Sequence, residues 1–430
     1  MKVALVNPPW DFGHSIYFGC REPHLPLEFG YAKALLEARG HAVRLIDAHL
    51  EGRDLRSVVA EVAAFAPEMT VVTTAPSYLF WRCPPPELRV PRAVIAALAG
   101  RGGRTVAVGP HASATPAAAL RKLGVDLVVR GECEEALVEL ADADSAAEIA
   151  GTARREAAAI RVNGAPRAAA FVDLPALRWP DAWVRRHRHH HHRFEAEPEG
   201  PGAEVEASRG CPYSCTFCAK LDFRDRYRRR RLELLLEEID GLIRQGARYL
   251  YFIDEIFLPQ RPLLEALAGR DIAFGVQTRL DLWKPEMIDL LGAAGCVSIE
   301  AGVESLTEEG RAALDKNCRL STEALTELLI HARRRVPFVQ ANLIETKGDD
   351  AATIAAWRER LQRHGVWAND PVPLYPYPSS PDYRRLWGEP DDLAWERAHD
   401  HYLAQFDSFS DIQEEHPLPL RELEAQCLQA

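Results

Sequence analysis

Two successive series of short apolar runs alternating with amphipathic helical stretches constrain this chain more than any other feature. Strand and helix alternating without reversal mean a parallel sheet. A parallel strand can be reached only by a long crossover, and a helix is the usual one. In residues 1–142 the pattern predicts strands at 3–7, 43–47, 70–74, 105–108 and 126–130. Helices are predicted at 27–39, 55–65, 91–99, 116–123 and 134–142. The second series predicts strands at 204–208, 249–253, 273–278, 297–301, 338–343 and 366–368, with helices at 232–244, 262–268, 285–294, 322–335 and 351–364.

The first five strands suit a flavodoxin-like, Rossmann-like α/β domain, in which ligands bind beyond the carboxyl ends of the strands where the strand order reverses. Six further units make a partial (β/α)6 barrel of the TIM type, with its reactive groups on the loops at the carboxyl ends of its strands. The expected domains are therefore 1–142, a connecting segment 143–200 rich in alanine, arginine, proline and histidine, a barrel 201–385, and a small helical tail 386–430. That tail, with Trp387, Trp395 and Tyr402 among acidic residues, is expected over one end of the barrel.

At 430 residues the chain has room for two or three such domains. It contains no run of some 18 apolar residues, so no membrane span is expected. The opening Met-Lys-Val-Ala-Leu-Val-Asn-Pro-Pro is too short in its apolar part for a signal peptide and reads as a buried strand. Nine cysteines without pairing logic fit a reducing cytoplasm. A net charge of −11 argues against a nucleic-acid partner. Two basic runs interrupt the acidity. Residues 185–193 carry five histidines, among them His187 and His189 to His192, and residues 224–231 carry six arginines. Imidazoles in the first run suit a metal, and an anion role with Arg185 or Arg193 is the minority reading beside a simply solvated linker. The second reads as the exposed start of a barrel helix, although Arg224 and Arg228 are close enough in sequence to the loop before them to meet a substrate anion.

That loop holds the chemistry. Cys211, Cys215 and Cys218 stand in Ser-Arg-Gly-Cys-Pro-Tyr-Ser-Cys-Thr-Phe-Cys-Ala-Lys, directly after the first barrel strand. Four thiolates saturate a four-iron cube, so three leave one iron open to a small molecule. Structural zinc favours paired cysteine knuckles a dozen or more residues apart, and no second knuckle exists here. Iron–sulfur is the favoured reading.

With this triplet on the first barrel loop, the chain resembles the radical S-adenosylmethionine (radical SAM) enzymes. The resemblance implies a [4Fe-4S] cluster whose open iron chelates S-adenosyl-L-methionine, followed by reductive cleavage to a 5′-deoxyadenosyl radical. It also implies that Phe217 lies along the adenine, and that Asp254 or Glu255, just past strand two, meets the methionyl ammonium. Gln277-Thr278-Arg279 ends strand three, and Glu300-Ala301-Gly302-Val303-Glu304-Ser305 resembles the family segment near the ribose and carboxylate. Capping is the alternative for several of these polar residues, with Ser305 and Asp281 as helix starts. Strand five ends Asn342-Leu343-Ile344-Glu345-Thr346-Lys347-Gly348, without the Gly-Pro-Gly turn common in relatives.

The amino-terminal domain is similar to the cobalamin-binding domain of one branch of that superfamily. Asn7-Pro8-Pro9, Gly109-Pro110-His111 and Arg130-Gly131-Glu132 carry the likeness, and Thr73, Thr74 and Ser77 are candidates for bonds to corrin amides or the nucleotide tail. Asp47-Ala48-His49-Leu50-Glu51-Gly52 fits the Asp-x-His-x-x-Gly pattern that presents a histidine to cobalt, but it follows strand two, at the expected sheet edge. A histidine in a surface turn is the preferred reading. His14, His49, His111 or no residue at all remain open as the cobalt ligand.

The resemblance implies a cobalamin-dependent radical SAM methyltransferase acting on an unactivated carbon of a small-molecule or natural-product substrate, with an electron donor such as flavodoxin or ferredoxin. Cyclisation or rearrangement without methyl transfer is the alternative, and a non-catalytic cluster or cobalamin sensor a third. Phosphate-loop, zincin and nucleophile-elbow motifs are absent from the sequence.

Overall fold

The computed structural model describes residues 1–16, 22–76, 84–143, 148–157, 159–187, 200–220, 224, 226–405 and 417–426. Ser77 and His189 to His192 lie outside them. The first sheet has the order β2-β1-β3-β4-β5-β6-β7. Its strands are β1 (Lys2–Asn7), β2 (Ala42–Asp47), β3 (Met69–Thr73), β4 (Arg104–Val108), β5 (Leu127–Val129), β6 (Thr152–Glu156) and β7 (Ala159–Asn163). The first five are parallel, and the order reverses between β1 and β3, as a flavodoxin-like sheet requires. Val3, Leu5, Val71 and Val106 bury one face, while Ala4, Val6, Val72 and Ala107 bury the other. Helices cover both, which explains the near-continuous apolar runs in the sequence.

Residues 143–200 correct the reading as a mere connection. β6 and β7 form an antiparallel hairpin that extends the first sheet beyond β5. After the hairpin Arg167 passes close to Gly131, just beyond β5: Gly131 has φ 79°, and a Cβ there would lie 2.2 Å from the Arg167 carbonyl oxygen. The segment then packs Phe171, Trp179 and Trp183 into the barrel-side core.

The second sheet runs β15-β14-β13-β12-β11-β8, all parallel, with β8 (Gly202–Val205) and β15 (Trp367–Ala368) as open edges. Between them stand β11 (Tyr249–Phe252), β12 (Ala273–Thr278), β13 (Cys296–Glu304) and β14 (Phe338–Leu343). The pair β9 (Ser208–Arg209) and β10 (Arg228–Arg229) brackets the cysteine loop. Val276, Ile299 and Val339 belong to the apolar core. The residues one step on, Gln277, Glu300 and Gln340, stand in register across β12, β13 and β14 and so share the opposite face.

The tail does not simply cap the barrel. Helix Ala394–Leu403 lies against the first domain, where Trp395 stacks on His111 at 4.1 Å and donates its indole N–H to Thr115 Oγ1 at 2.9 Å. Helix Leu420–Ala425 brings Glu424 to Lys122 at 3.0 Å. Among the described residues no helix is long and apolar enough to cross a membrane.

The close approach at Gly131 yields a direct prediction. Gly131→Ala forces a left-handed alanine against backbone and should cost roughly 1–3 kcal/mol, read as a lower Tm of the full chain. An unchanged melting curve would contradict the close approach to Arg167.

Candidate functional site at the domain junction

The cysteine loop starts two residues after a fully buried arginine. Arg209 donates to Glu134 at 2.7 Å and to Glu206 at 2.6 Å, and its guanidinium lies 4.6 Å from the Phe171 ring centroid. Arg224, also buried, reaches Glu206 at 2.8 Å and Glu255 at 2.9 Å. Arg228 clamps both carboxylate oxygens of Glu132, whose Oε2 also accepts the Ala169 amide at 2.5 Å. The arginine run is therefore only in part an exposed helix start: Arg226, Arg229 and Arg231 are exposed before the helix that begins at Leu232, whereas Arg224 and Arg230 are buried. Burial opposes ionisation of Glu132, but Arg209, Arg228 and Arg224 outweigh it and hold its carboxyl near 2. For Glu134 the same burial prevails and moves the carboxyl up.

Above this network the loop gathers Cys211, Cys215 and Cys218, all free thiols, with Phe217 half-buried in the turn. A hydrogen bond with Cys218 lowers Cys215 to about 7 despite burial, aided by Lys316 and Arg279. Burial raises Cys211. Arg279 pairs with Asp281 at 2.8 Å and lies 4.3 Å from the Tyr213 ring centroid. Lys316 donates to Glu304 at 3.0 Å. Glu304 holds φ 70° at a register shift in β13, a bulge that turns the strand end. Cationic side chains around three sulfurs fit an anionic thiolate-bound cluster.

The expected acidic residues divide. Asp254 is fully buried and serves the backbone: it accepts the Ala207 amide at 2.9 Å and the Ser208 hydroxyl. Glu255 accepts the Gly210 amide at 2.6 Å, one residue before Cys211. Ser305 does not cap the next helix; Thr307 does, accepting the Gly310 amide at 2.9 Å. Asp281 likewise caps nothing, being held by Arg279. Where the Gly-Pro-Gly turn is missing, Asn369 braces β14 instead, bonding Leu343 N at 2.7 Å and its carbonyl at 3.1 Å.

Gln277 and Gln340, flanking Glu300, each have a buried side-chain oxygen without a hydrogen-bond partner among the described residues. Buried acceptors left open are costly unless a ligand donates to them. A polar nucleoside or amino-acid group fits this face of the barrel.

At the carboxyl ends of the first sheet the polar atoms bond mostly within the protein. Asn7 accepts the Trp10 indole at 2.7 Å, with Pro8 beside it, and Thr74 Oγ1 donates to the Val108 carbonyl at 2.9 Å. Gly109, at φ 116° and ψ −166°, holds a conformation essentially reserved for glycine and keeps the end of β4 free of a side chain. His111 is pressed on Trp395, with Nε2 3.2 Å from the Pro86 carbonyl, and burial lowers it to about 3. His49 is no surface-turn residue. It sits half-buried in a short helix capped by Asp47, edge-on to Phe12 at 5.8 Å, and burial lowers it to about 4. His14 is exposed at φ 59°. A bare strand end beside the β1/β3 reversal fits a bulky ring, and three imidazoles differ sharply in accessibility around it.

Of the histidine run the described residues include only His187, and its partners His24 and Glu204 escaped the sequence reading. His24, His187 and Glu204 converge in the interior, with His187 Nε2 2.9 Å from Glu204 Oε2 and His24 Nδ1 bonded to the other oxygen. Burial lowers His187 to about 4, so its ring is neutral.

The radical SAM superfamily model matches residues 205–354, and the B12-binding domain model matches residues 20–141. Residues 205–354 are therefore a radical SAM domain and residues 20–141 a B12-binding domain, and these domains imply a [4Fe-4S] cluster, S-adenosyl-L-methionine and cobalamin as cofactors. An uncharacterised methyltransferase of Pyrococcus horikoshii is 26% identical over 322 residues, 71% of this chain and 66% of the relative. The anaerobic magnesium-protoporphyrin IX monomethyl ester cyclase of Cereibacter sphaeroides is 26% identical over 43% of this chain and 32% of its own length. The chain thus spans less than two thirds of either. The solved radical S-adenosylmethionine methyltransferase TsrM of Kitasatospora setae shares the fold, with a TM-score of 0.70 and 20% identity over 88% of this chain and 73% of that one.

Asp254 supplies a pH test. Burial raises its carboxyl from 3.8 to about 8, so the folded chain binds this proton more tightly than the unfolded one between those values. Its stabilising contribution is complete below about 4 and is lost as pH rises through about 8. Relative to Asp254→Asn, the wild type should lose Tm from pH 5 to pH 9. A pH-independent gap between the two would disprove the raised value.

Proposed function

We propose that this chain is a cobalamin-dependent radical enzyme that methylates an unactivated carbon of a small-molecule or natural-product substrate. The observation that carries the reading is the Arg209–Glu134 ion pair. It joins the start of the cysteine loop to the first helix after β5, so the ends of both sheets that bear cofactor residues meet at one junction. When bound, the cluster with S-adenosyl-L-methionine supplies a carbon-centred radical, and cobalamin supplies a transferable methyl group.

The chain's own part is positioning. Cys211, Cys215 and Cys218 hold three irons and leave the fourth free. Gln277, Glu300 and Gln340 receive donors of the nucleoside or amino-acid portion, Phe217 lies along the adenine, and Arg279 and Lys316 balance negative charge beside the sulfurs. Asp254 and Glu255 shape the loop through backbone amides rather than by contact with the methionyl ammonium. Asn7, Pro8, Thr74, Gly109, His111 and Gly131 frame the corrin edge; Glu132 works from beneath, through Arg228. Enclosure of the junction keeps reactive species from water.

The partial likeness to a cyclase favours one second reading, ring closure without methyl transfer. Anaerobic turnover with both cofactors and reductant decides between them. Methyl transfer yields S-adenosylhomocysteine together with 5′-deoxyadenosine, whereas cyclisation yields deoxyadenosine alone. Cys215→Ala should abolish deoxyadenosine in either case. Its persistence there, or the absence of any cleavage by the wild type, would refute the radical reading.

A further inference from the structure

His24 stands in the loop before helix Leu27–Ala38, His187 directly follows helix Asp181–Arg186, and Glu204 lies on β8. One belongs to the B12-binding domain, one to the connecting segment and one to the barrel. Their side chains are 2%, 0% and 0% exposed. One ligand atom from each lies within 4.8 Å of the other two, and among the described residues no other trio of histidine, cysteine or acidic side chains does so. We propose that these three side chains form a buried zinc site that clasps the first domain to the first barrel strand.

The donor set favours that ion. Two imidazoles and a carboxylate suit zinc, with Zn–N near ~2.0–2.1 Å and Zn–O near ~2.0–2.2 Å. In a tetrahedron such bonds place neighbouring donors about 3.3 Å apart, and the 2.9 Å between His187 and Glu204 needs only a small side-chain rotation to open to that value. The rings of His24 and His187 stand edge to face, with centroids 5.6 Å apart, so they approach a common point from different directions. Three protein donors leave one coordination position for water.

The test uses the full chain with cluster and cobalamin in place. After chelator treatment, Zn2+ alone is titrated and bound metal is counted. We expect one zinc per chain beyond the cluster iron, a zinc-edge absorption spectrum with nitrogen and oxygen neighbours only, and a Tm higher by several degrees. Glu204→Gln and His187→Gln should each weaken zinc binding at least tenfold and remove the Tm shift, while alanines at His189 to His192 should change neither. Sulfur neighbours, equal retention by Glu204→Gln, or loss in the 189–192 variant would overturn the proposal. Should either substitution fail to fold, the wild type still decides, because a zinc-free wild type with no Tm response is equally fatal.

Discussion

Arg209 is the residue on which the arrangement turns. A guanidinium with no exposed surface survives only where carboxylates surround it, because an unpaired buried charge costs far more than folding can spare. Its partners come from both domains: Glu134 from the B12-binding domain and Glu206 from the barrel. The domains cannot shift apart without exposing or stranding that charge. Arg209 lies two residues from Cys211, so the same constraint that orients the domains also anchors the cysteine loop. Arg224 and Glu255 continue the network to Gly210, the loop's first turn.

Buried networks of this kind add little net stability compared with an apolar core, but they are intolerant of alternative packings. That property suits a junction where two cofactors must face each other. The apolar core around it, from Tyr31 and Phe171 to Tyr249 and Tyr251, supplies the cohesion. The polar row Gln277, Glu300 and Gln340 breaks that apolar rule on the other face of the barrel sheet, where a closed hydrophobic barrel would leave no room for a ligand.

Much of this was legible in the chain. Parallel strands buried on both faces read as apolar runs, and every one in the two sheets stands within a few residues of its expected place. The cysteine spacing pointed to the cluster before any coordinates did. What escaped notice has physical causes. β6 and β7 are Thr-Ala-Arg-Arg-Glu and Ala-Ile-Arg-Val-Asn, half-exposed at a sheet edge, so no apolar run marks them. The arginine run looked solvated because its partners Glu132, Glu206 and Glu255 are distant or unremarkable in sequence. His24 and Glu204 are 180 residues apart, and nothing local distinguishes either.

Helices Ala394–Leu403 and Leu420–Ala425 rest on the B12-binding domain, through Trp395 on His111 and Glu424 on Lys122. During synthesis, therefore, this face of the B12-binding domain stays uncovered until residues 394–425 have been made. Corrin loading into the uncovered domain and loading after these helices have docked are physically different events, and deletion of residues 394–425 acts directly on the difference.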